Sequence, residues 1–474
     1  NTQQDSHLKQ DRETTMSFRR DTRGPRIPSI VDAEIDVVAS VVTDVTGRYH
    51  YPEEREIPIP RGYHPQNNHY HDNHRGSAIP AQLHNPGGSV YSVPQAAPAS
   101  NRKGFQASSR TPSMRSLVKS QSAYLFEEQR NDLQQQLDFP RGLATELGKT
   151  RSLFPARFWI LDNSGSMLSN DGAVSKNGMR VTCTRWKELE ETVDYHAELA
   201  ALLQATTFFR LLNDPGVRVG PQEFSVAADG KSIDEEIRNV KAIMRHTQPN
   251  GSTPLTGHLM EIAGRIREME GTMRQRGLQA VVVIATDGLP TSPDGHTSDE
   301  INNEFINALS QLQMLPVWVV IRLCTDEQAV VDFYNALDGI LELPLEVLDD
   351  HLNEAREIHK VNPWLNYALP LHRCREIGYQ HRIFDLLDER PLNKDEVLEF
   401  CKVLLGKEHF MVCPDIHTDF NGFLKFLMAA MKHEKPHLNP LTHKMAPWID
   451  ITQLKRSFGG GMLGMFKRKS ATKH

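Results

Sequence analysis

Cysteine is scarce in this chain of 474 residues, and its few cysteines form no motif. Cys183, Cys324, Cys374, Cys401 and Cys413 are odd in number, widely scattered and without a CxxC pair. That excludes a disulfide framework and a zinc ribbon, and it fits free thiols in a reducing compartment, so an intracellular, cytoplasmic protein is expected. No apolar run approaches the roughly 18 residues that a membrane span needs. A formal net charge of −6 gives no basic excess, which argues against a nucleic-acid binder or a membrane-surface protein. A nucleotide-binding loop is missing too. Gly230-Lys231-Ser232 has the right ending, but Ser225 stands where the first glycine would be needed. The calcium-loop pattern at His417, Asp419, Asn421 and Gly422 reaches Met428 where a bidentate Glu is required. Cys183 has no adjacent histidine to activate it as a nucleophile. The chain begins at Asn1 and not at Met, which leaves a removed leader open.

What is present divides into five stretches. Residues 1–115 are rich in Arg, Asn, His, Pro, Ser and Gly and have a single sustained apolar stretch, Ile30–Val42. Such a composition buries too little apolar surface to offset its ordering entropy, so a disordered polar arm is expected. The histidines His64, His69, His71 and His74 within it have no thiolate or fixed scaffold to make a metal site. Ser108, Ser109, Thr111 and Ser113 lie in a basic linker open to phosphorylation. Residues 116–150 show helical spacing from Leu117 to Leu147. Over 151–352, β-rich runs (157–161, 222–226, 280–286, 316–323 and 345–348) alternate with helical patterns (186–212, 232–247, 255–270, 298–313 and 326–338). Continuous runs such as Val281-Val282-Val283-Ile284 read as strands buried on both faces. Strand–helix alternation predicts an α/β fold with a Rossmann-like, mostly parallel sheet and helices on both faces. Residues 353–458 read as a helical C-terminal region, with helices over 351–360, 371–389, 394–405 and 420–432. Asn393 followed by Glu396 is an N-terminal capping signature there. Residues 459–474 form a glycine-led basic tail.

Three separated pieces fall at one edge of the predicted sheet. They are Asp162-Asn163-Ser164-Gly165-Ser166-Met167 after the first strand, Gly251-Ser252-Thr253-Pro254-Leu255 before a helix, and Thr286-Asp287-Gly288 after the run of valines. Ligands of open α/β sheets bind outside the carboxyl ends of the strands. Asp162, Ser164, Ser166, Thr253 and Asp287 supply two carboxylates and three hydroxyls. An all-oxygen set without His or Cys disfavours zinc and favours Mg²⁺, or else Mn²⁺. Gly165 and Gly288 are expected to let the two loops turn tightly around the ion.

The Asp162-Asn163-Ser164-Gly165-Ser166 segment resembles the Asp-x-Ser-x-Ser signature of von Willebrand factor A domains. Thr253 and Asp287 fall where that family has the other two elements of its metal-ion-dependent adhesion site. The resemblance covers residues 154–350 and implies a Rossmann-like sheet. It also implies that Ser164, Ser166 and Thr253 touch the ion, that Asp162 and Asp287 often act through water, and that a partner's carboxylate completes the shell. Ser252-Thr253-Pro254-Leu255 and the lack of disulfides look more like the intracellular members. The stretch 168–185 is longer than the family usually has between the metal loop and the first helix. It could form a hairpin beside the ion and select ligands, and Arg180 and Arg185 within it are expected to be solvated.

The expected function is a non-enzymatic, Mg²⁺-dependent interaction module that captures a Glu or Asp carboxylate of a protein partner. The alternative is a Mg²⁺-dependent phosphotransferase with Asp162 as nucleophile, although Ser164 stands where that chemistry wants a second carboxylate. A third possibility is a purely structural site filled by an acidic side chain of the chain itself, with Glu127, Glu128 and Asp299 as candidates.

Overall fold

The computed structural model describes residues 127–176, 179–228 and 232–459. The polar arm with its histidine cluster, the start of the predicted helix at Leu117, the Gly230-Lys231 pair and the basic tail beyond Gly459 lie outside them.

Two helices come first, α1 (Glu127–Gln136) and α2 (Arg141–Leu153), followed by strand β1 (Arg157–Leu161). A hairpin of β2 (Gly172–Lys176) and β3 (Met179–Cys183) leads into α3 (Arg185–Leu203). Next are β4 (Thr207–Leu211), β5 (Glu223–Val226), α4 (Ile233–His246), α5 (Leu255–Arg276), β6 (Ala280–Thr286), α6 (Asp299–Leu312), β7 (Val317–Leu323), α7 (Gln328–Ile340) and β8 (Leu345–Leu348). The C-terminal part holds α8 (His351–Val361), α9 (Leu369–Glu376), α10 (Arg382–Glu389), α11 (Lys394–Leu405), α12 (Phe420–Met431), a short pair β9 (His437–Leu438) and β10 (Met445–Ala446), and α13 (Ile451–Gly459).

Six strands form one sheet in the order β5-β4-β1-β6-β7-β8. All neighbours are parallel except β4 and β5. Counted along the chain, the order is 3-2-1-4-5-6, the doubly wound arrangement that reverses direction between β1 and β6. The central strands β1 and β6 are buried at every position. Their alternate residues feed two separate cores. Trp159, Leu161, Val281, Val283 and Ala285 pack with α3, α4 and the C-terminal helices. Phe158, Ile160, Val282 and Ile284 pack with α5, α6 and α7. The first of these cores runs without a break from Leu133 of α1 to Leu454 of α13, so the C-terminal helices complete the cover of one sheet face.

Three elements depart from the expected pattern. The helix predicted over 186–212 stops at Leu203, where Gln204 takes a left-handed conformation (φ 49°). The residues after it, Thr207-Phe208-Phe209, are β-branched and aromatic and enter the sheet as β4. The helix predicted over 371–389 is broken in two around Gly378, which adopts φ +80°. The helical stretch before the domain is likewise divided, with Pro140 capping α2. Other local signals hold. The Asn393 side chain accepts the Glu396 N–H at 3.0 Å while Glu396 accepts the Asn393 N–H at 2.9 Å. Asp419 caps α12 by accepting the Gly422 N–H at 2.7 Å, so the calcium-like segment serves as a helix start. All five cysteines are free. Among the described residues no helix is long and apolar enough to cross a membrane.

Candidate metal centre

The strand order reverses between β1 and β6, and the loops that follow these two strands meet at the carboxyl edge. Asp162 extends the ladder past β1, its N–H donating to Ala285 O at 2.9 Å. Asp287 follows the last residue of β6. Three loops are tied together beneath them by two asparagines. Asn163 Oδ1 accepts the Asn213 N–H at 2.8 Å, and Asn163 Nδ2 donates to Asn213 O at 3.0 Å. The Asn163 carbonyl accepts the Asn250 N–H at 2.8 Å, and Asn213 Nδ2 donates to Ser252 O at 2.8 Å. These bonds draw the loop holding Thr253 to the first metal loop. Thr253 is then fixed by Thr291, whose hydroxyl accepts its N–H at 2.8 Å.

Four of the five predicted residues form one chain of contacts. Ser164 Oγ lies 2.9 Å from Ser166 Oγ, and Ser166 Oγ donates to Asp287 Oδ1 at 2.8 Å. Asp162 sits behind them, fully buried. Its Oδ1 accepts the Ser164 N–H at 2.9 Å and its Oδ2 the Thr286 hydroxyl at 2.6 Å. Thr253 is buried beside Gly288, and a methyl group placed on that glycine would lie 3.8 Å from Thr253 Oγ1. Ser166 is exposed, so the cluster opens to solvent there.

Neither glycine predicted to shape these loops is needed for a left-handed turn. Both Gly165 and Gly288 lie outside the positive-φ set, and a side chain at either would make only ordinary contacts or none. The demanding position is Gly251, at φ +83°, where a Cβ would come 2.5 Å from Asn213 Oδ1. Any side chain at 251 would therefore break the asparagine clasp that positions Thr253.

The expectation that Arg185 is solvated is overturned. It is 5% exposed, and Nη1 donates to Asp287 Oδ2 at 2.9 Å. Its Nε and Nη2 reach Asp171 at 2.7 and 2.5 Å, and Nη2 also reaches Glu327 at 3.2 Å. Three carboxylates from separate elements outweigh its desolvation. Arg180 is exposed, as expected. The stretch after the metal loop does form a hairpin, β2–β3, and its base is anchored to the cluster through Asp171 and Arg185.

Electrostatically the two acids differ. Burial and the charge of Asp287 push the Asp162 carboxyl up to about 6, because only neutral donors reach it. Burial also raises Asp287, against the pull of Arg185 and Ser166. No family model matches this chain, and no curated protein does. The chemistry of the cluster has therefore to be judged on its own atoms.

The oxygens of Ser164, Ser166 and Asp287 are joined by ordinary hydrogen bonds of 2.9 and 2.8 Å, which brings three oxygen donors close enough to share one small cation. Among the described residues there is no group of three or more His, Cys, Asp or Glu side chains placed to share a metal. Any ion here would depend on hydroxyl oxygens, which is the donor set of Mg²⁺ or Mn²⁺ rather than zinc. Asn163, Asn213, Thr286 and Arg185 are the residues that sequence reasoning did not assign to the site. Asn163 and Thr286 were within reach, each being the direct neighbour of a predicted acid.

Proposed function

We propose that the chain carries a von Willebrand factor A-type domain and works as a cation-dependent interaction module, not as an enzyme. In this reading Ser164, Ser166 and Thr253 hold Mg²⁺, or Mn²⁺ in its place, with Asp162 and Asp287 supporting it, and a Glu or Asp of a protein partner completes the shell. The bound ion would supply a Lewis-acidic point of attachment for that carboxylate. The single observation that carries the reading is the meeting of the Ser164, Ser166 and Asp287 oxygens at one edge of the sheet, open to solvent at Ser166. The doubly wound strand order, with the cluster at its reversal, supports the same reading.

The phosphotransferase alternative is weakened by the state of Asp162. A nucleophile must reach its substrate, and this carboxylate is 0% exposed with both oxygens engaged by Ser164 and Thr286. A site filled by one of the chain's own acids is not favoured either, since the internal group that enters is the cation Arg185.

Titration calorimetry of Mg²⁺ into the full chain, followed by an acidic peptide, tests the proposal. Saturable binding that Ser164→Ala abolishes, and peptide capture that requires Mg²⁺, are expected. Absence of cation binding both with and without the peptide would sink the reading.

A further inference from the structure

A second cleft lies outside the carboxyl ends of β7 and β8, away from the β1–β6 reversal. Arg322 of β7 and Asp350 after β8 meet the β2–β3 hairpin, α3, α9 and the turn after β9 there. The cavity is about 440 Å³, within the roughly 300–1,000 Å³ typical of small-molecule sites and far more than one water requires.

The polar groups on its wall are unequally satisfied. Each acid is engaged. Glu188 accepts the Ala173 N–H at 2.9 Å and pairs with Arg322, and Asp350 caps α8 through Leu352 and Asn353. Asp138 stands 4.0 Å from Lys435, and Glu191 has a partner as well. The nitrogen donors are not all engaged. His372 is 1% exposed, and neither ring nitrogen has a hydrogen bond. Its Nε2 is 3.5 Å from Glu376 Oε1, out of alignment. Arg373 spends Nη1 on Thr192 and Glu376, while its Nε is buried without a partner. Arg180 adds an exposed guanidinium from the hairpin. Nδ1 of this buried imidazole has no partner and Nε2 has only the long contact to Glu376, and a buried nitrogen left so is costly unless a water, ion or ligand reaches it.

We propose that this cleft binds a small oxyanion-bearing molecule, held by His372, Arg373 and Arg180. Burial keeps the His372 imidazole below its ordinary value, so it is neutral and offers one donor and one acceptor. That pairing suits an anion that also carries a hydroxyl, either a hydrogen phosphate or a 2-hydroxy acid. The guanidinium of Arg180 meets the charge from the solvent side. The proposal is independent of the metal reading.

The test is NMR of the full chain with ¹³C-labelled histidine rings and no added divalent cation. Inorganic phosphate and malate are titrated separately, with sodium chloride at matched ionic strength as control. One imidazole resonance, missing in His372→Gln, should shift saturably with at least one of the two anions and not with chloride. The anion that saturates identifies the source. Arg180→Gln, an exposed change that leaves the core untouched, should weaken the apparent affinity about tenfold, the loss of one charge-assisted contact. A ring signal unmoved by both anions, or moved equally by chloride, would mean that the cleft holds only water and would overturn the assignment. An Arg180→Gln affinity equal to that of the native chain would overturn it too. If His372→Gln does not fold, the Arg180→Gln comparison decides alone.

Discussion

Among the described residues, a pair of wholly buried carboxylates answer burial in opposite ways. Asp162, at the end of β1, and Glu376, at the end of α9, are both 0% exposed. Glu376 is met by two guanidiniums and an imidazole. Arg373 Nη1 reaches its oxygens at 2.9 and 2.8 Å, His196 Nε2 lies 2.7 Å away, and Arg322 Nε stands 3.5 Å off. Burial acts to raise its carboxyl, but the Arg373 guanidinium and the hydrogen bond with His196 hold it well below the usual range. Asp162 meets only an amide N–H and a hydroxyl, and burial with the nearby Asp287 pushes it up to about 6. An acid whose negative charge is already balanced is part of the scaffold. One left with its charge unbalanced beside an opening is where the proposed cation would act.

The contrast is tested most strongly at Glu376. Glu376→Gln keeps the shape but leaves Arg373 buried beside an uncharged amide. Breaking a buried pair from one side costs about 3–5 kcal/mol, and urea unfolding should show a loss of that size. A loss below about 1 kcal/mol would mean that the pairing does not sustain the fold, and the comparison would break there.

Asp162→Asn should have the opposite sign. A folded-state pKa raised from 3.8 to about 6 means that the folded chain holds the proton more tightly than the unfolded chain. Stability is then highest below the unfolded value, falls as pH rises through that window, and stays reduced at pH 7. An asparagine carries no charge, accepts the same Ser164 N–H and faces a Thr286 hydroxyl that can turn to Gly288 O, 3.3 Å away. The metal-free variant should gain on the order of 1–3 kcal/mol at pH 7 and lose its response to Mg²⁺. Thermal unfolding with and without Mg²⁺ measures both effects. A variant less stable than the native chain without metal would show that Asp162 is structural, as Glu376 is.

The Asp162 side of this contrast could be read from the residues before any fold was known, and the Glu376 side could not. The valine run of β6 and the Phe158-Trp159-Ile160 run of β1 read as central strands because they are short, rich in β-branched and aromatic residues, and apolar at every position. Once those strands lie side by side, Asp162 and Asp287 must meet. What escaped has a shared physical cause. β4 was hidden because the amphipathic spacing of α3 continues into Thr206-Thr207, and only the left-handed Gln204 marks the stop. Arg185 was hidden because its burial depends on Asp171, Asp287 and Glu327, which the sequence scatters over more than 150 residues. Gly251 outranks Gly165 because it combines φ +83° with the close approach of Asn213, a tertiary neighbour. Local pattern fixes which residues are buried and where strands end. It carries no information about which distant charges will converge.

Arg185 sharpens the comparison from within the site. Its guanidinium already occupies one oxygen of Asp287, so it both stabilises the metal-free cluster and repels an arriving cation. A +2 ion within several ångströms of a guanidinium is opposed by several kcal/mol at an effective dielectric constant of about 20. Part of that is recovered when the side chain swings toward Asp171 and Glu327. Arg185→Gln should therefore tighten Mg²⁺ by at least about tenfold in calorimetry, while lowering the stability of the metal-free chain. Unchanged affinity would mean that the arginine and the ion do not share Asp287.

The smallest effect is expected at His196, the neutral member of the Glu376 cluster. Burial drives its imidazole down to about 4, against the pull of Glu376, and Trp159 packs 4.6 Å from its ring. With a folded value below the unfolded 6.5, the unfolded chain binds the extra proton first, so this histidine's contribution to stability is present near neutrality and lost as pH falls from 6.5 towards 4. Neighbouring carboxylates with raised values act in the reverse sense over the same window, so the pH profile of the native chain alone does not isolate it. The difference between the native chain and His196→Asn does. That difference should shrink by about 1 kcal/mol between pH 6.5 and 5.5, measured by urea unfolding at each pH. If it is flat, His196 takes up its second proton as readily in the folded chain as in the unfolded one and stands there as an imidazolium against Glu376. The Glu376 cluster would then carry one more positive charge, widening its distance from Asp162.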